Sequence, residues 1–199
     1  MKHSVLILLG LLIAAIATQC KQDPAAGKTD AAASGAKADS TAIIKRGEYL
    51  VAISGCNDCH SPKIMTAQGP APDPARLLSG HPADEALPAI TDPKMIAPGQ
   101  WALFNSGLTA AVGPWGTTFA ANLTPDDTGL GNWTYAQFSK AIREGKSKGM
   151  EGTRPILPPM PWFNYANMTE DDLQAVFTYL KSIKPIKNAV PNPLPPSAG

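Results

Sequence analysis

The stretch SGCNDCHSPK, Ser54 to Lys63, decides how the rest of the chain is read. Cys56 and Cys59 stand two residues apart, and His60 follows directly. Such a cluster can hold zinc, form a redox disulfide, or attach haem, for which C-x-x-C-H is the sequence mark. A closed zinc site wants four ligands, and beyond the two cysteines only His60, His81 and Cys20 remain near enough to the folded chain to serve. A thioredoxin-like pair needs a βαβ setting, which the helical pattern beside this pair does not give. A plain disulfide suits an exported chain but would close a strained small loop. Haem attachment uses every residue of the motif: the two thiols add to the two porphyrin vinyl groups, and the histidine that follows places its imidazole on the iron.

Immediately upstream, TAIIKRGEYLVAIS places Ile43, Ile44, Gly47, Leu50 and Val51 at helical spacing, which predicts a helix that delivers the chain into the motif. Before it, residues 20–40 are small and polar and carry no large apolar side chain, so they read as a flexible tether. Residues 1–19 combine Lys2 with the short apolar run VLILLGLLIAAIA, the pattern of an export signal too short for a comfortable membrane span. Two cleavage readings stand. Cys20 becomes a lipid-bearing first residue, although Gln19 before it is bulkier than usual, or cleavage follows Ala17 and leaves Cys20 as a free thiol. Either reading expects an exported, periplasmic protein, and the first anchors it to a membrane as a lipoprotein.

The chain has 199 residues, enough for one domain with a modest core, here expected over 41–187. Lys and Arg number 17 against 16 Asp and Glu, so no basic excess points to nucleic acid. From Pro62 to about Thr124 the many Pro and Gly residues predict loops, turns and at most a small hairpin, and a loop this long is usually functional or wraps something. Thr134 and Gln137 form a capping-box pattern ahead of Phe138, Ala141 and Ile142, and Gly145 stops that helix. A last helix opens at Thr169 with acidic Glu170, Asp171 and Asp172, and buries Leu173, Val176, Phe177, Leu180 and Ile183. Pro185 ends it, leaving 188–199 as a Pro-rich tail that straps the fold or stays disordered.

A haem iron bound through His60 needs a second axial partner. Met65, Met95, Met150, Met160, Met168 and His81 are the candidates, and Met65 lies too few residues past His60 to cross to the opposite ring face. Met160, in ILPPMPWF, is the strongest, because Pro158, Pro159 and Pro161 fix the backbone around it. Its competing role is core gap-filler. His81, in LSGHPADE, reads as a surface or loop histidine, with bis-histidine ligation the minor alternative.

The ordered series RGEYLVAISGCNDCHSPK, NLTPDDTGLGNWTYAQFSKAIREG, LPPMPWFNY and MTEDDLQAVFTYLKSI resembles the class I c-type cytochromes, and more narrowly the cytochrome c subunits of periplasmic alcohol, aldehyde and sugar dehydrogenases. The resemblance implies an all-α class I cytochrome c fold, its first and last helices crossing beside one haem edge, with a long Pro/Gly-rich loop insertion over 64–121. It implies one covalent haem c on Cys56 and Cys59, with His60 and Met160 as axial ligands. Relatives often carry two or three haem domains in tandem, whereas this chain has a single CxxCH. The expected function is single-electron transfer between redox partners such as a dehydrogenase, an oxidase or other cytochromes, rather than catalysis. The alternatives are a gas sensor or enzyme with an open iron position, and a haem subunit docked permanently on a dehydrogenase. Asp126 with Asp127 reads as a turn, while Trp115, Trp133 and Trp162 read as packing residues, Trp133 or Arg154 being able to reach a propionate.

Overall fold

A computed structural model describes residues 29–196, with side chains from Asp39 onward. The expected export signal, Cys20 and the last three residues lie outside the described part. Five α-helices are described: α1 Thr29–Ile53, α2 Cys56–His60, α3 Tyr135–Glu144, α4 Trp162–Tyr165 and α5 Glu170–Ser182. Helix α1 thus begins ahead of Thr41, so the segment read as a tether is helical from Thr29 onward. Among the described residues no helix is long and apolar enough to cross a membrane.

The core lies where α1 crosses α5. Leu50 and Val51 of α1 pack with Leu173, Ala175, Val176, Phe177 and Leu180 of α5, joined by Leu78, Leu130 and Phe138. The predicted stripe of α1 is buried from Gly47 onward, whereas Ile43 is exposed. Gly47 makes the crossing close: a Cβ there would stand 2.1 Å from the Ala175 carbonyl oxygen. Arg46 Nε, 2.8 Å from Asp172 Oδ1, ties the two helices at the rim.

Helix α3 starts at the expected capping box, in which Thr134 N donates to Gln137 Oε1 at 2.9 Å and Gln137 N to Thr134 Oγ1 at 3.3 Å. It ends at Gly145 in the left-handed region, φ 64°. Phe138 meets Phe177 at 5.2 Å between centroids, docking α3 on α5. Thr169 caps α5 by accepting from Asp172 N, and Lys181 Nζ at the other end donates to the Leu130 and Gly131 carbonyls.

The long segment after the CxxCH motif is where the all-α expectation gives way. Strands β1 (Lys63–Thr66) and β2 (Gly69–Pro72) form an antiparallel hairpin, and β3 (Leu103–Phe104), β4 (Ala110–Gly113) and β5 (Gly116–Phe119) form a three-stranded antiparallel sheet. The architecture is therefore a helical frame with two small sheets inserted between α2 and α3. The Pro-rich tail takes the strap form: Thr117 and Leu194 exchange backbone hydrogen bonds at 3.0 Å each, and Asn188 Nδ2 donates to the Ser79 and His81 carbonyls. Gly116, φ 99°, lies beneath this strap, where a Cβ would stand 2.1 Å from the Leu194 oxygen.

Candidate functional site

Gly55, in the left-handed region at φ 69°, separates α1 from the single turn of α2. One turn places residues three apart on one face, so Cys56 and Cys59 present their sulfurs together and His60 follows. Both cysteines are free thiols and half-buried. Burial raises the Cys56 pKa to about 11, and burial with the neighbouring Asp58 raises that of Cys59. Neutral thiols of this kind are the opposite of the depressed thiol used by disulfide oxidoreductases. Among the described residues no group of three or more His, Cys, Asp and Glu is gathered in the way a zinc cage requires.

His60 is fixed from two sides. Its carbonyl accepts from Gly80 N at 2.7 Å, and its Nδ1 lies 2.8 Å from the Ala121 carbonyl oxygen. A carbonyl only accepts, so Nδ1 carries the hydrogen and the neutral ring keeps its lone pair on Nε2, the arrangement of a metal-ligating imidazole. Burial pushes the His60 pKa down against the opposing pull of the Ala121 hydrogen bond, which favours this neutral form. Lys63 Nζ closes the turn by donating to the carbonyls of Asn57, Asp58 and Ser61 at 3.2, 2.8 and 2.5 Å. Buried Ser61 donates to Asn57 Oδ1 and accepts from Leu78 N, both at 2.8 Å.

The methionines sort by environment. Met65 is 79% exposed, Met95 and Met150 are also exposed, and Met168 packs against the core. Met160 is half-buried in a segment held on both sides. Ahead of it, Thr118 Oγ1 of β5 donates to the Pro158 carbonyl at 2.8 Å. Behind it, the Trp162 ring occupies the space a side chain at Gly145 would need, and Arg143 Nη1 donates to the Ala166 and Met168 carbonyls. One strand therefore touches both predicted ligand segments: β5 meets the Met160 loop through Thr118, and two residues past its end Ala121 meets His60.

Tyr165, Lys63 and Ala121 escape sequence reasoning. Tyr165 Oη donates to the Ser54 carbonyl at 2.7 Å, and its pKa is raised by burial first and then by Cys56, Cys59 and Asp58, which places it beside the thiols. Ala121 acts through its backbone and leaves no mark in the sequence. His81 is the clear correction: it is not a surface histidine but 0% exposed, with Nδ1 2.9 Å from Thr109 Oγ1 and its ring 4.9 Å from that of Phe119. Of the propionate candidates, Trp133 packs against the core, and Arg154 Nη1 donates to the adjacent Pro155 carbonyl. Asp126 forms the expected turn, accepting from Thr128 N and Oγ1. Two neutral thiols on one turn, an imidazole with Nδ1 committed and Nε2 free, and a braced thioether form a donor set that fits a c-type haem.

No family model matches the chain. Among curated proteins it is similar to the cytochrome c subunit of the quinone-dependent alcohol dehydrogenase of Gluconobacter oxydans, 30% identical over 147 residues, which are 73% of this chain and 22% of that protein. It is similar to the gluconate 2-dehydrogenase cytochrome c subunit of Pantoea cypripedii, 29% identical over 150 residues, 74% of this chain and 25% of that protein. It is also similar to the fructose dehydrogenase cytochrome subunit of Gluconobacter japonicus, 35% identical over 86 residues, 42% of this chain and 17% of that protein. The chain resembles the c-type cytochromes. Within that class its likeness is to the cytochrome subunits of dehydrogenases, of whose length it spans a quarter or less in these three relatives.

Proposed function

We propose that the chain is an exported c-type cytochrome that carries single electrons, with one haem c attached through Cys56 and Cys59 and its iron held between His60 and Met160. The observation that carries this reading is the His60 hydrogen bond to Ala121, which fixes the ligating tautomer directly beside two free thiols. The bound haem supplies an iron that changes oxidation state. Imidazole and thioether ligation together favour the ferrous form and raise the potential. The protein's share is to keep both ligands in place in either oxidation state: the Ala121 carbonyl and Gly80 amide hold His60, and Thr118, Trp162 and Arg143 brace the Met160 segment. Cys56 and Cys59 would hold the haem, and electron exchange there would use the weak, small docking surfaces that suit transient encounters. The donors and acceptors are a dehydrogenase, an oxidase or other cytochromes, and a lipid on Cys20 tethers the protein to the periplasmic face of a membrane.

A second reading, a haem subunit docked permanently on a dehydrogenase, is favoured by the relatives, which are cytochrome c subunits of such enzymes. Co-purification of a catalytic partner separates it from a free shuttle. The primary test is expression in a host competent for haem attachment. Protein washed with acid acetone should stay coloured, and its reduced spectrum should ignore carbon monoxide. Colourless protein refutes the attachment, while wild-type protein that binds the gas favours the open-iron alternative. Met160→Ala should change the ferric spectrum, lower the potential and admit carbon monoxide; an unchanged spectrum and potential remove Met160 as the ligand.

A further inference from the structure

His81 is buried completely, yet its Nε2 has no hydrogen-bond partner. As mere filling, histidine is a poor choice, because a buried polar atom left unpaired is destabilising and an apolar side chain would avoid it. What the ring offers is Nδ1. Thr109 Oγ1, itself buried, accepts from Asn105 Nδ2 at 3.1 Å, so its own hydrogen is free for His81 Nδ1 at 2.9 Å. The Thr109 carbonyl accepts from Ala120 N at 2.8 Å, and the Ala120 carbonyl accepts from His81 N at 2.9 Å. These three bonds close a ring over His81, Thr109 and Ala120. Its neighbours on either side hold His60: Gly80 donates to the His60 carbonyl, and Ala121 accepts from the His60 imidazole.

We propose that His81 is a positioning residue for His60, acting through Thr109 and the Ala120–Ala121 peptide to hold the Ala121 carbonyl against the His60 imidazole. This inference rests on the cytochrome reading and deepens it. A carbonyl held firmly on Nδ1–H makes the ring a better electron donor, which favours ferric iron, so loosening the carbonyl raises the potential. Asparagine can place a polar atom near the position of histidine Nδ1, and valine copies the shape of threonine without its hydroxyl. The two substitutions therefore separate the hydrogen bond from the packing.

The test measures the midpoint potential of the haem-loaded protein and the His60 Nδ1–H resonance and its solvent exchange in the ferrous state. Thr109→Val and His81→Leu should shift the one-electron equilibrium toward ferrous iron by roughly three- to tenfold, tenfold being about 59 mV, and should speed exchange of the Nδ1 hydrogen. His81→Asn should stay near wild type. Thr109→Val matching wild type in both measurements overturns the inference even if His81→Leu does not fold, as does a potential shift with an unchanged Nδ1–H. Wild-type protein lacking covalent haem overturns the cytochrome reading and this inference with it, whereas haem present with unresponsive variants overturns this inference alone.

Discussion

Replacing Gly47 by alanine tests the helix crossing on which the frame depends. The added Cβ would lie 2.1 Å from the Ala175 carbonyl oxygen and 2.7 Å from both the Ala175 carbonyl carbon and Tyr179 Cβ. None of these is the end of a flexible side chain, so α1 and α5 must part by roughly 1 Å, a gap that already forfeits up to half of the dispersion energy between facing atoms. Leu50, Val51, Leu173, Val176 and Leu180 share that interface. Overpacking a core costs about 1–3 kcal/mol and more where backbone blocks relaxation, while alanine in place of glycine stabilises a helix by about 1 kcal/mol. We place the net loss near the upper end of the difference, at about 1–2 kcal/mol, which for a chain of this size lowers Tm by about 2–8 °C. Parallel thermal and denaturant unfolding of wild type and Gly47→Ala checks this. A midpoint equal to or above wild type would mean that the crossing is looser than these distances require.

Tyr165→Phe removes the hydrogen bond to the Ser54 carbonyl at the end of α1 and should cost about 1 kcal/mol, read as a lower denaturant midpoint at unchanged slope; no loss would show that water replaces the phenol fully. Acid should destabilise the fold in a defined window. The Arg46 guanidinium lowers the Asp172 pKa, Tyr135 and Arg143 lower that of Glu170, Arg76 that of Asp73, and Thr128 that of Asp126. Each binds a proton less readily folded than unfolded, so its contribution is complete above the ordinary carboxylate range and is lost as pH falls through the lowered values. Unfolding midpoints measured from neutral into acid pH should fall there, less steeply in Asp172→Asn and less steeply at high salt; identical curves for the two proteins would remove the Arg46 pair from the account.

The parts of this molecule that were legible in the sequence are those whose signals are periodic or local. The stripe of α5, the capping box at Thr134, the glycine stop at Gly145 and the C-x-x-C-H turn each depend on residues close together in the chain. The inserted sheet was illegible for a physical reason: its strands run two to four residues, too short for alternation to register, and rich in Gly and Ala, which have little preference for extended backbone. They are extended because they pair with one another and lie beneath the tail, which are tertiary causes. His81 was misread on the same account. The Pro and Gly residues around it mark a loop, and loops are ordinarily exposed, but this one runs beside His60 and Ala120 and is covered by Asn188. The remaining supports of His60 are the Ala121 carbonyl and the Gly80 amide, groups that every residue but proline possesses.

The short Met160 loop and the CxxCH turn belong to different parts of the chain, and α4 joins them at one point, where Tyr165 Oη donates to the Ser54 carbonyl. The β5 segment joins them at a second, through a hydroxyl at Thr118 within the strand and a carbonyl at Ala121 two residues past its end. The tail in turn pins β5 through Leu194 and pins the Ser79–Ala83 segment through Asn188, whose side chain donates to two carbonyls and accepts from Ala83 N. Both proposed ligand segments are thus referred to one hydrogen-bonded frame, through backbone at His60 and through the Thr118 hydroxyl at Pro158. Such a frame suits the proposed electron transfer, since a metal that changes charge without rearranging its ligands needs supports whose geometry is independent of that charge. The segment expected to wrap something is better described as a hydrogen-bonded link between the two proposed ligand segments.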